Sequence, residues 1–214
     1  MKKWFLWIEW TLLFIAAPVV VGLTVHSAPW LLVLGGITIC AAVWLARRAN
    51  FSFSNFWRSE DAGAEQRQLK EVLLRFSLCA VILVALTIAI FPEKLFALPR
   101  TMPLQWGLLL ATYPLLSVYP QELLYRAFFL ERYRGLFPGV KGGWMASALV
   151  FGWLHVIFRN PLAVGLTLVG GWFFAQTYAR TRSMRLVCLE HTLYGSLIFS
   201  VGLGEFFLQS ALFR

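Results

Sequence analysis

The sequence predicts an all-α fold in which a bundle of helices spans a membrane, and three observations carry this prediction. Hydrophobic residues make up 59% of the chain, charged residues make up 14%, and the mean hydropathy is +0.70. Soluble domains carry about 25% charged residues, and a globule of 214 residues could not bury so much apolar side chain. Because a spanning helix needs about 20 residues, the length allows about seven spans, in a range of about six to eight, and no large soluble domain.

Composition and charge exclude several other classes of protein. Three cysteines cannot build a disulfide framework. The 19 Lys and Arg against 10 Asp and Glu give a net charge of +9, which nucleic-acid binding could explain only through a basic patch on a soluble face. Membrane proteins carry such an excess because positive residues mark their cytoplasmic loops. We therefore expect contact with the lipid bilayer and none with nucleic acid.

Seven apolar segments predict the spans, which are residues 4–25, 30–46, 72–91, 103–130, 143–158, 162–179 and 186–207. The first is too long for the apolar part of a signal peptide and has no convincing cleavage site. No internal repeat or linker is visible, so we expect one membrane-embedded domain over residues 1–214.

The connections explain where these spans end. After the second span comes a polar segment, residues 47–71, whose aromatic first part favours a position in the headgroup region. The third span stops at Pro92. The fourth begins near Pro103 and is interrupted at Pro114 and Pro120, since proline removes a backbone donor and clashes with the preceding turn.

Basic residues predict the orientation of these spans. With the N-terminus on the cytoplasmic side, 13 of the 19 Lys and Arg fall on the inner side and 4 on the outer side. This asymmetry predicts a cytoplasmic N-terminus. The short loops suggest a protein of a prokaryotic inner membrane.

Ionisable residues inside apolar spans are costly and usually mark a functional site. Those at membrane depth or near the span ends are Glu9, Glu122, Arg126, His155, Glu190, His191 and Glu205. Glu9 and Glu205 lie near span ends, where we interpret them as interfacial. Glu122 and Arg126 are four residues apart, so they share one helix face as an ion pair. Two histidines on two further spans complete a set that packing alone does not explain.

Three short motifs surround these residues, and together they are specific enough to indicate a protein family. Residues 121–126 read Gln-Glu-Leu-Leu-Tyr-Arg, residues 151–155 read Phe-Gly-Trp-Leu-His, and residues 191–195 read His-Thr-Leu-Tyr-Gly. In this order, over residues 100–205, they resemble the CPBP family of intramembrane proteases, which includes CAAX prenyl endopeptidases and bacteriocin-processing or self-immunity proteins. The family pattern is Glu-Glu-x-x-x-Arg, then Phe-x-x-x-His, then His-x-x-x-Asn or Asp.

Two positions depart from that pattern. The family's first glutamate, usually taken as the water-activating residue, corresponds to Gln121, whose neutral amide cannot act as a general base. The final Asn or Asp corresponds to Gly195, which has no side chain to donate. Either Glu122 has taken over as the base, or the fold is kept and the chemistry lost or altered. Adjacent helical residues point about 100° apart, so a takeover needs a rotated or unwound helix, which Pro120 favours.

The resemblance implies an endopeptidase that hydrolyses a peptide bond in a membrane-associated, lipidated or sorted substrate. We expect Glu122, held ionised by Arg126, to polarise water together with His155, while His191 and the Gln121 amide stabilise the oxyanion. Glu190 would orient a histidine. Gly195 would allow close helix approach or leave room for a substrate strand.

Three alternatives remain open at this point. A zinc ion on Glu122, His155 and His191 would use the same residues, although no His-Glu-x-x-His motif supports it and a metal-free mechanism is favoured. The protein could be a catalytically degenerate immunity or scaffold protein. It could also be a small transporter whose buried ionisable groups relay protons.

Overall fold

The apolar segments fold into helices, as expected where backbone groups must be satisfied without water. The computed structural model describes residues 2–24, 30–48, 56–59 and 61–207. These residues form helices and the turns between them and contain no strand. The predicted all-α helical bundle is therefore confirmed.

The described part of the chain contains seven long helices, which we number in chain order. They are α1 (Lys3–Trp10, Thr11–Ala16 and Ala17–Thr24), α2 (Trp30–Ala46), α3 (Ala62–Ile90), α4 (Pro103–Tyr113, Pro114–Val118, Tyr119–Glu122, Leu123–Phe128 and Phe129–Arg132), α5 (Gly139–Leu154 and His155–Phe158), α6 (Pro161–Thr181) and α7 (Met184–Val201). Shorter helical segments lie at Pro92–Lys94, Ala97–Thr101 and Leu203–Phe207.

Three helices among the described residues are by themselves long and apolar enough to cross a membrane. They are Lys3–Leu23, Ala62–Ile90 and Pro161–Thr181, and Leu32–Ala46 is a shorter apolar helix. Their outer faces carry large apolar side chains such as Leu32 and Leu74, which are 79% and 76% exposed. Such a surface suits lipid, as expected for an integral membrane protein. The number of spans and the cytoplasmic N-terminus stay predictions.

The third helix is longer than the sequence suggested. It begins at Ala62 and not at residue 72, because the Asp61 side chain caps it by accepting a hydrogen bond of 2.9 Å from the Ala64 amide. Residues 62–71 of the predicted polar segment are therefore the first part of α3. Residues 49–55 and 60 of that segment lie outside the described residues.

The interruption predicted at Pro114 appears as a change of helical pitch within α4, whereas Pro120 lies in a regular α-helical segment. The helix is wider and π-helical at Pro114–Val118 and again at Leu123–Phe128. Pro114 begins the first of these turns, where its missing N–H removes a hydrogen bond from the ladder. The four residues Tyr119–Glu122, which include Gln121 and Glu122, lie between the two π-helical turns.

An aromatic cluster joins α1 to α4. Phe14 packs edge-on against Tyr125, Phe129 and Tyr133, with ring centroids 5.1 to 5.7 Å apart. One helical turn away along the same interface, the Glu9 carboxylate accepts hydrogen bonds from Arg132 Nε at 2.9 Å and the Tyr133 hydroxyl at 2.8 Å. These contacts place α1 along one side of the predicted site. The interfacial depth predicted for Glu9 stays a prediction.

Candidate active site

The polar centre of the bundle begins with an ion pair on α4. Arg126 Nε lies 3.0 Å from Glu122 Oε2, and both side chains are fully buried. The pairing follows from the spacing of four residues, with the glutamate on the N-terminal side. The π-helical turn starts directly after Glu122, whereas Gln121 and Glu122 themselves lie in a regular α-helical segment.

Arg126 connects this pair to the neighbouring helices. Its Nη1 donates a hydrogen bond of 2.6 Å to the Ser147 hydroxyl on α5, and its Nη2 donates one of 3.4 Å to the Gly171 carbonyl on α6. The guanidinium also lies over the Phe151 ring, 4.9 Å from its centroid. An arginine held in this way places its positive charge beside the carboxylate and fixes the position of that side chain.

His191 on α7 contacts the Glu122 carboxylate of this ion pair. Its Nδ1 lies 2.8 Å from Glu122 Oε1, and its ring stacks on Phe174 with centroids 4.5 Å apart. Because an ionised carboxylate only accepts hydrogen bonds, Nδ1 must carry the hydrogen. The neutral ring therefore has its lone pair on Nε2. His191 lines the central cavity, whereas Glu122 is buried behind it.

His155 lies apart from this pair, at the C-terminal end of α5. Its Nδ1 is 2.8 Å from the Phe151 carbonyl, so this nitrogen also donates and leaves Nε2 as an acceptor. The ring lines the cavity and packs against Phe151, as does the ring of His191. The expectation that Glu122 acts together with His155 does not match this geometry, because the histidine that contacts Glu122 is His191.

Gln121 and Gly195, the two departures from the family pattern, both line the cavity. The Gln121 amide nitrogen donates a hydrogen bond of 2.7 Å to the Ser117 hydroxyl, and its carbonyl oxygen has no partner among the described residues. At Gly195, an added Cβ would lie 2.2 Å from the Tyr113 hydroxyl oxygen. The close approach predicted at Gly195 is therefore made by a side chain, Tyr113, which the sequence did not single out.

Glu190 does not orient a histidine, contrary to expectation. Its carboxylate forms an ion pair with Arg75 of α3. Arg75 also donates hydrogen bonds of 3.2 Å to the side chains of Gln176 and Thr177 on α6. Adjacent residues on α7 point about 100° apart, so Glu190 faces α3 while His191 faces α4. An arginine within an apolar span was the available signal for this second cluster.

The Arg75–Glu190 pair gives a prediction about stability. Arg75→Met leaves a fully buried carboxylate without its counter-charge, and we expect a loss of about 3–5 kcal/mol. Thermal unfolding of the purified chain in detergent measures the effect. Arg67→Met is the matched control on the same helix, because Arg67 and its partner Asp61 are 74% and 67% exposed. Equal stability of the two variants would contradict the assignment.

A cavity of about 1440 Å³ opens beside these groups. Its walls are almost entirely apolar, and the polar side chains that reach it near the centre include Tyr113, Gln121, His155 and His191. Small-molecule pockets usually measure about 300–1,000 Å³, so this space suits a longer apolar ligand such as a peptide segment.

The side chains of the site offer few ligands for a metal ion. Within the described parts of the chain, no group of three or more His, Cys, Asp or Glu side chains is placed to hold a metal ion. In the zinc set considered from the sequence, the Glu122 oxygens already face Arg126 and His191, which leaves His155 and His191 without a third ligand from that set. As arranged, these residues do not fit a zinc site.

Comparison with known proteins supports the motifs. No curated protein and no solved structure matched the chain. A protein-family comparison did find a match, which spans α4, α5, α6 and most of α7 and so includes every predicted site residue. Over residues 103–197 the chain matches the family model of the type II CAAX prenyl endopeptidases, described as Rce1-like, and this match confirms the resemblance to the CPBP family.

Proposed function

We propose that the protein is an intramembrane endopeptidase in which Glu122 and His191 form a base dyad. The observation that carries the proposal is the 2.8 Å contact between His191 Nδ1 and Glu122 Oε1. The carboxylate fixes the tautomer of the ring and stabilises the imidazolium that forms when Nε2 takes a proton. Glu122 thus acts through His191, because the histidine lies between it and the cavity.

Hydrolysis then needs only groups that line the cavity. His191 Nε2 removes a proton from water as the water oxygen bonds to the peptide carbonyl carbon. The C–N bond breaks next, and the imidazolium returns the proton to the leaving amine nitrogen. The His155 Nε2 acceptor provides a second hydrogen-bond site for the water.

The cavity and the family match both support a class of substrate. The Rce1-like endopeptidases are described as acting on CAAX prenyl substrates, and the match implies a membrane-associated peptide for this chain. The almost wholly apolar cavity walls support a peptide that carries a lipid group or an apolar segment. The suggested prokaryotic inner membrane favours lipidated or sorted peptides over prenylated ones.

A cleavage panel tests this proposal. The full chain in liposomes is incubated with membrane-anchored peptides that are either acylated, prenylated with a CAAX terminus, or anchored by an apolar helix, and new termini are detected by mass spectrometry. We expect the wild-type chain to cleave at least one class. If the folded chain cleaves none, the scaffold interpretation replaces the protease.

The same panel tests metal dependence. We expect cleavage to be unchanged after dialysis against a chelator, because the described residues hold no group of three potential metal ligands. The zinc content of the dialysed protein is measured alongside activity. Loss of cleavage on dialysis, with recovery when zinc is added back, would overturn the metal-free mechanism and leave the protease assignment in place.

A further inference from the structure

The space beside Gly195 is occupied by the side chain of Tyr113. A Cβ at position 195 would lie 2.2 Å from the tyrosine hydroxyl oxygen and 2.4 Å from the nearest ring carbon. No real side chain tolerates such distances, so Tyr113 can lie here only because residue 195 is glycine. The two residues are therefore a matched pair across α4 and α7.

Packing holds the tyrosine next to the base dyad. Its ring meets His191 edge-on at 6.0 Å and Phe199 edge-on at 5.5 Å. Tyr113 is the last residue before the first π-helical turn of α4, and it lines the cavity together with both histidines. The ring position is thus set from two sides, and the hydroxyl lies against Gly195 of α7.

Peptide hydrolysis at this site needs a hydrogen-bond donor for the carbonyl oxygen. The neutral His155 and His191 rings cannot serve, because each uses its one N–H at Nδ1 and has only a lone pair at Nε2. The Gln121 amide donates one N–H to the Ser117 hydroxyl on its own helix and has one N–H left. The Tyr113 hydroxyl donates to none of the described residues and remains available.

Another cavity-lining tyrosine does not provide this donor. Tyr194 also borders the cavity, but its hydroxyl oxygen is fully buried and out of reach of a ligand. Tyr113 differs in lying directly against Gly195, where the family pattern would place an Asn or Asp side chain. The structure therefore has a hydroxyl from α4 at this place, where α7 carries no side chain.

We propose that Tyr113 is a catalytic residue whose hydroxyl donates a hydrogen bond to the carbonyl oxygen of the scissile peptide. This inference rests on the proposed function, since it assigns a role within the same hydrolysis. The bond strengthens as negative charge develops on that oxygen during attack by water. Gly195 is then the residue that makes room for the donor.

Tyr113→Phe tests the inference while keeping the ring packing. We expect kcat on the cleaved panel peptide to fall about 100-fold, the usual cost of losing one oxyanion donor, with KM nearly unchanged. Tyr119→Phe is the matched control, because Tyr119 lies on the same helix but does not border the cavity. A purely packing role for Tyr113 predicts no difference between the two variants, and that result would overturn the inference.

A second test moves the hydrogen-bond donor from α4 to α7. Tyr113→Ala empties the space beside α7, and adding Gly195→Asn places an amide donor there. We expect the double variant to cleave about tenfold faster than Tyr113→Ala alone, because the donor returns from the other helix. Equal or lower activity of the double variant, with a thermal unfolding midpoint like that of Tyr113→Ala, would count against the donor role.

The outcomes separate the two proposals. If His191→Ala abolishes cleavage while Tyr113→Phe matches Tyr119→Phe, the dyad stands and the Tyr113 assignment falls. If His191→Ala cleaves like the wild-type chain, the proposed mechanism falls and the Tyr113 role falls with it. Loss of kcat in both His191→Ala and Tyr113→Phe supports both assignments.

Discussion

Replacing His191 by alanine is expected to lower kcat by about 10⁴- to 10⁶-fold on whichever panel peptide the wild-type chain cleaves. Removal of the base from a comparable dyad or triad has an effect of this size, because the nucleophile is then no longer activated. His191 is the one cavity-lining residue among those described whose Nδ1 is bonded to a carboxylate. Initial rates of peptide cleavage in liposomes measure the loss.

Chemical rescue distinguishes a lost base from a damaged fold. His191→Ala leaves a space beside Phe174, on which the imidazole ring stacks in the wild-type chain. Imidazole added to the assay can occupy this space and supply the missing Nε2, so we expect it to restore part of the cleavage. A variant that unfolds would not recover in this way. Cleavage within tenfold of wild type without imidazole would contradict the role of His191.

The sequence predicted the fold class and the Glu122–Arg126 pair because both follow from local spacing. Apolar runs of span length specify helices in a bilayer, and residues four apart on a helix share a face. The same reasoning predicted that α4 would be disturbed near Pro114. It could not predict a π-helical turn, since that depends on how the neighbouring helices re-satisfy the backbone.

The partners of the histidines could not be predicted from spacing. Whether His155 or His191 meets Glu122 depends on how α5 and α7 rotate about their own axes against α4, and the sequence does not state those rotations. The partner of Glu190 could not be predicted from spacing either. Glu190 is adjacent to His191 in the chain, yet it pairs with Arg75 on a different helix.

The Tyr113 side chain was missed for a related reason. The sequence shows glycine at position 195, where the family pattern has Asn or Asp, and this difference by itself indicates only that a donor is lost. In the packed structure, Tyr113 of α4 fits against α7 because residue 195 has no side chain. The missing side chain on α7 and the tyrosine that replaces it from α4 are far apart in the sequence, so their relation is visible only in the structure.

Glu122→Gln is expected to lower kcat by about 10⁴-fold while leaving the shape of the site unchanged. The amide can donate to Nδ1 as readily as it accepts, so it permits the tautomer with its hydrogen on Nε2, which cannot act as a base. Glu131→Gln is the matched control, since Glu131 lies on α4 and pairs with the partly exposed Arg48. We expect this control to cleave like the wild-type chain.

Glu122→Gln also leaves Arg126 fully buried without its counter-charge, which lowers stability on its own. The double variant Glu122→Gln with Arg126→Gln separates the two effects, because it removes both charges. We expect the double variant to unfold at a higher temperature than Glu122→Gln alone and yet to remain inactive. Recovery of cleavage together with stability would show that Glu122 serves the fold only. Inactivity in a restabilised protein would instead mean that the carboxylate acts on His191.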